Sequence, residues 1–124
     1  MKNTFILILS LFILLFSGCS TPTAYKTARP SSPREDASTQ LTQEARQLLQ
    51  AGNYDNAIRL LEQAVGLNPD NGQSYYYLAQ AWLKKGRFSE AKEFNGLAQI
   101  YLKDDKQWLV RVEDQANQIS RLEQ

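Results

Sequence analysis

Residues 52–58 read Gly52-Asn53-Tyr54-Asp55-Asn56-Ala57-Ile58, followed by Ala64 and then by Leu67-Asn68-Pro69-Asp70-Asn71. A glycine just before an aromatic residue suits a tight turn between helices, because glycine accepts positive φ without steric cost. Pro69 then stops whatever helix precedes it. Laying residues 38–71 over 72–105 pairs Ala45 with Ala79, Leu49 with Leu83, Gly52 with Gly86, Ala57 with Ala91, Ala64 with Ala98 and Asp70 with Asp104. Leu41/Tyr75, Leu48/Trp82 and Tyr54/Phe88 fall in the same frame. Three of the identities are alanines, the residue that lets helices approach closely, so the chain repeats a helix-turn-helix unit.

Asp70-Asn71-Gly72-Gln73 and Asp104-Asp105-Lys106-Gln107 each place an acceptor three residues before Gln, the pattern of a capping box at the start of the next helix. Residues 105–122 form a further amphipathic stretch. There Leu109, Val112, Ala116 and Ile119 recur at helical spacing, with Glu113, Asp114, Asn117 and Gln118 between them. Helices are expected at about 38–50, 54–67, 72–85, 88–101 and 105–122.

The repeat resembles the tetratricopeptide repeat, a helix-turn-helix unit of about 34 residues. The first unit carries the quoted string, and the second matches at Tyr75, Leu78, Ala79, Trp82, Gly86, Phe88, Ala91 and Ala98. Departures stand at Glu44, where Leu is usual, at Asn95, where an apolar residue is usual, and at Lys103, where Pro is usual. The resemblance implies an all-α fold: two repeats, 38–71 and 72–105, and a capping helix in 106–124. Arrays of this kind generally need about three units for stability, so dimerisation or support from a partner is expected. The resemblance also implies protein binding in a groove lined by the first helix of each unit. The groove positions carried over are Thr42, Arg46, Leu49 and Gln50 in the first unit, and Tyr76, Gln80, Leu83 and Lys84 in the second. Arg46 and Lys84 would receive a carboxylate, and Tyr76 would be an exposed aromatic anchor. Tyr75, Tyr77, Trp82 and Trp108 read as interior packing. Lys84, Lys85 and Arg87 read as a solvated helix end beside its dipole. The Lys and Asn pattern with which some members of the family clamp a terminal carboxylate is missing.

Upstream of the repeats the composition changes twice. Residues 1–18 hold Met1 and the apolar run Phe5 to Phe16, interrupted only by Ser10, with Lys2 before it. Twelve helical residues rise about 18 Å, against a bilayer core of about 30 Å, so the run has the length of a signal-peptide core. It ends in Phe16-Ser17-Gly18-Cys19, and Cys19 is the one cysteine of the chain. This resembles the lipobox of bacterial lipoproteins. The resemblance implies a signal peptide at 1–18, cleavage before Cys19, and diacylglycerol and acyl chains on Cys19. Ser20, which is not Asp, favours export to the outer membrane over retention at the inner one. Residues 20–40 contain no Leu, Ile, Val, Phe, Met or Trp and hold Pro22, Pro30 and Pro33. Such a segment buries too little to offset its ordering entropy, so 19–37 is expected to be a disordered, flexible linker.

The whole-chain composition excludes more than it suggests. The 124 residues carry 14 Lys+Arg against 13 Asp+Glu and no His. The near-zero charge argues against a nucleic-acid partner. Without His, and with one Cys, the commonest general base, a disulfide and a thiolate zinc cage are unavailable. No catalytic constellation, metal site or cofactor motif stands in the sequence, and Asp104-Asp105 and Glu113-Asp114 read as helix-end and surface charges. The expectation is therefore a lipid-anchored, non-enzymatic adaptor of the cell envelope that binds envelope proteins or peptide segments. The alternative is a structural or peptidoglycan-associated lipoprotein without a specific groove.

Overall fold

The computed structural model describes residues 29–124, where five α-helices follow one another with short turns. They are α1 (Pro33–Gln50), α2 (Tyr54–Leu67), α3 (Gly72–Lys84), α4 (Phe88–Leu102) and α5 (Lys106–Leu122). Helices α1 and α2 pair as one hairpin and α3 and α4 as the next, α2 packs on α3, and α5 closes on α4. Contacts also run from α1 to α3 and from α3 to α5, so these three lie side by side. The expected signal peptide, the Cys19 motif and residues 19–28 of the expected linker lie outside the described residues. No described helix is long and apolar enough to cross a membrane.

Both hairpin turns are built identically. Gly52 and Gly86 sit at φ 77° and 73°. Around the first, Gly52 N–H donates to Leu49 O and Asn53 N–H to Leu48 O, at 3.1 and 2.9 Å. Around the second, Gly86 N–H donates to Leu83 O and Arg87 N–H to Trp82 O, at 3.0 and 2.9 Å. This is the Schellman closure, and it requires the left-handed residue to be Gly at little cost. The alanines of the repeat frame fill the helix crossings: Ala45, Ala57, Ala64, Ala79, Ala91 and Ala98 are all 0% exposed. Around them Leu61, Leu78 and Ile58 make the main core, with Leu41, Leu48, Trp82 and Phe94 packed against it.

Three local expectations need correction. Helix α1 begins at Pro33, five residues before the expected start, so Pro33–Ala37 belongs to the helix and not to the linker. Ser32 caps it. Glu35 N–H donates to Ser32 Oγ at 3.2 Å and Ser32 N–H donates to Glu35 Oε2 at 2.8 Å. Pro33 then occupies the first helical position, where its missing N–H costs nothing. Apolar content, which led the sequence reading, says little about a first turn held by a capping box. The caps of α3 and α5 are Asn71 and Asp105, one residue beyond the expected Asp70 and Asp104. Asn71 accepts from Ser74 N–H, while Asp105 accepts from Gln107 and Trp108 N–H at 3.0 and 3.2 Å. On α5, Ala116 is exposed, and the buried positions are Val112, Gln115 and Ile119.

Candidate binding cleft

The side-by-side arrangement of α1, α3 and α5 leaves a cleft of about 560 Å³ along their common face. It is lined by Arg46, Leu49 and Gln50 from α1, Tyr76, Tyr77, Gln80 and Lys84 from α3, and Arg111 from α5. Six of the eight groove positions carried over from the sequence, Arg46, Leu49, Gln50, Tyr76, Gln80 and Lys84, therefore meet in one place.

Thr42 and Leu83 do not join them. Thr42 is 3% exposed: its hydroxyl lies 2.8 Å from Ser38 O, to which it donates, and 2.7 Å from Ser74 Oγ. Asn71 Nδ2 donates to Ser38 Oγ at 2.9 Å, and Ser38 Oγ donates to Ala64 O. These hydroxyls and the amide tie α1 to α2 and α3, with only a small recess of about 120 Å³ beside them. Leu83 packs against Ala91 and Ile119, because α5 covers it.

The sequence reading missed two lining residues. Tyr77, an expected interior residue, is 7% exposed and also borders the cleft. Arg111 lies on the helix read only as a cap. The repeat frame itself held the signal: Tyr77 and Arg111 stand one 34-residue period apart, so the capping helix α5 continues the register of α3.

Aromatic rings pack against one another along the cleft wall. Tyr76, Tyr77 and Trp108 meet edge to face, with centroids 5.3 Å apart for Tyr76–Tyr77 and Tyr76–Trp108 and 6.0 Å for Tyr77–Trp108. The Arg111 guanidinium sits over Trp108, 5.0 Å from the ring centre. Behind this wall, Asn95 Nδ2 donates to Val112 O and Gln115 Oε1, each at 2.9 Å, and Gln115 Nε2 donates to Tyr76 O at 3.1 Å. The polar residue that broke the repeat pattern thus latches α4 to α5, and Gln115 carries the latch on to α3. Burial pushes the Tyr76 phenol above its usual value of 10.0, with Tyr77 and Asp114 adding to the rise and Arg111 opposing it.

The cleft has no carboxylate in its lining, and no metal-binding cluster of acidic, Cys or His residues occurs among the described residues. Its lining sets amides and cations around an aromatic and aliphatic wall.

No curated protein matches the chain. Residues 48–110 match the family described as tetratricopeptide repeat, from the last turn of α1 into α5. That match spans half of the chain and takes in α2, α3, α4, the two glycine closures and five of the six buried alanines of the repeat frame, and the chain belongs to the tetratricopeptide-repeat family.

Proposed function

We propose that this protein is a lipid-anchored adaptor of a bacterial cell envelope that holds a protein partner in the cleft between α1, α3 and α5. Tetratricopeptide repeats are protein-interaction modules, and their all-helical hairpins act typically as non-catalytic scaffolds. The observation that carries the reading is the convergence of Arg46, Leu49, Gln50, Tyr76, Gln80 and Lys84 on one cleft. The anchor rests on Phe16-Ser17-Gly18-Cys19 and the apolar run before it. Lipid chains contribute about 0.8 kcal/mol per buried CH₂, so more than one chain on Cys19 would hold the protein at a membrane. Ser20 supports the periplasmic face of the outer membrane.

Metabolic labelling with palmitate tests the anchor: the parent chain incorporates label and Cys19→Ala does not, whereas label retained by the variant refutes it. Affinity capture from envelopes with the anchor intact tests the cleft. Tyr76→Ala and Arg46→Ala are expected to lose the captured envelope protein. Capture of peptidoglycan, unchanged in both variants, would instead favour a structural lipoprotein.

A further inference from the structure

Arg46, Lys84 and Arg111 come from three different helices and border one cleft. Cations outside the cleft include three with acidic partners: Lys85 pairs with Asp55, Arg87 with Glu90 and Lys92 with Glu123. The three cleft cations have no ion pair among the described residues. Asp114, one turn from Arg111, acts on the Tyr76 phenol but is not part of the lining. With signal residues 1–18 removed, Lys2 goes with them and the chain carries as many acids as bases. The positive cleft is therefore a local arrangement and not a reflection of net charge.

The geometry also says what shape of ligand these charges suit. The Arg111 guanidinium is held over the Trp108 ring, 5.0 Å from its centre, which fixes a cation at the cleft with no carboxylate in the lining. Gln50 and Gln80 bring side-chain amides that both donate and accept, as an extended backbone requires. We infer that the cleft takes an extended peptide segment bearing several Asp or Glu side chains, and that Arg111 on the closing helix sets this preference. The inference rests on the proposal that the cleft is a protein-binding surface.

The test uses the full chain in detergent and dye-labelled, C-terminally amidated short peptide pools that differ only in charge: Asp/Glu, Lys/Arg or Gln/Ser. Fluorescence anisotropy reads binding, and amidation removes any contribution from a terminal carboxylate. The acidic pool is expected to bind, and more weakly as salt screens the charges. Arg111→Glu is expected to weaken it about five- to tenfold, the scale of a half-exposed pair replaced by repulsion, and Arg111→Lys to retain most of it. Arg59→Glu on α2 makes the same change in net charge away from the cleft lining and is expected to leave binding intact. Should Arg111→Glu lose its helical circular dichroism, Lys84→Glu replaces it at an equally exposed site. Acidic binding unchanged by Arg111→Glu, or weakened equally by Arg59→Glu, overturns the inference. Equal binding of the neutral pool, abolished by Tyr76→Ala, overturns the charge preference and leaves the cleft a peptide site. If no pool binds, the protein-binding reading falls with it. Self-association lost in Arg111→Glu would assign the cleft to a second copy and also overturn the inference.

Discussion

Glycines of this chain show how differently one residue type behaves at different positions. A Cβ on Gly86 would meet nothing within 4 Å, so its replacement is felt only by the backbone, held at φ 73°. Gly86→Ala is expected to cost about 1 kcal/mol in urea unfolding, the left-handed penalty alone. Gly72 is the reverse case. A Cβ there would lie 2.5 Å from Leu102 Cγ and 3.0 Å from Tyr101 Cβ, so Gly72→Ala must push the end of α4 away from α3. Overpacking of that kind costs about 1–3 kcal/mol. Gly96, inside α4 with open space at its Cβ, is expected to gain about 1 kcal/mol on change to Ala, the helix-propensity difference. Thermal melts should place Gly96→Ala highest, Gly86→Ala below the parent and Gly72→Ala lowest, and a stabilised Gly72→Ala would show that the contact relaxes freely. The Tyr75 and Tyr76 phenols carry a pH signature. Burial raises both above 10.0, so the stability they contribute is present below that value and lost as pH rises through their folded pKa values. Tyr76→Phe is expected to remove a late step from the phenolate absorbance titration.

Among the elements, α5 is joined to the rest by two different kinds of interaction. Val112 and Ile119 bury against Leu102 and Leu83, and Asn95 and Gln115 hold the polar latch between them. The equivalent of Asn95 one period earlier is Leu61, fully buried and apolar. Asn95→Ala removes the donor to Val112 O and Gln115 Oε1 and leaves both acceptors enclosed, at a cost of about 1–3 kcal/mol. It is expected to raise amide exchange in α5 before α1 and α2 respond. Uniform acceleration would mean that α5 has no separate stability. The same element explains what was legible in the sequence. Buried alanines and glycine closures are encoded by short-range patterns, so the turns of both hairpins could be placed to within a residue, whereas the capped start of α1 could not. Gln115 was not legible, because a polar residue on a helix reads as solvated unless its partner on another element is known. Thr42 and Leu83 were misplaced for a related reason. Family groove positions say which way a residue points along its helix, but Ser74 and Ile119 decide whether another helix covers it.

Over the whole molecule, Ser31–Gln124 packs as one unit in which each helix touches mainly its sequence neighbours. Stability in such an array is close to a sum of unit and interface terms, and the terminal element screens the apolar end of the one before it. Helix α5 does this with a mean hydropathy well into the polar range and a narrow buried stripe, as a solvent-facing end requires. Ending the chain after Asp105 would uncover Leu83, Ala98 and Leu102, remove Gln115 from Asn95 and Trp108 from Tyr76, and take Arg111 from the cleft. Two hairpins alone fall below the roughly three units that such arrays need, so the truncated chain is expected to lose most of its cooperative thermal transition. Ile119→Ala is the graded version: it leaves α5 in place and is expected to cost about 2–4 kcal/mol from the cavity beside Leu83 and Ala91. Peptide binding separates the two roles of the helix. Ile119 lies outside the cleft lining, so below its melting temperature Ile119→Ala should bind acidic peptides as the parent does, whereas Arg111→Glu should melt like the parent and bind poorly. If both variants lose stability and binding in proportion, α5 affects the cleft only by holding the array together.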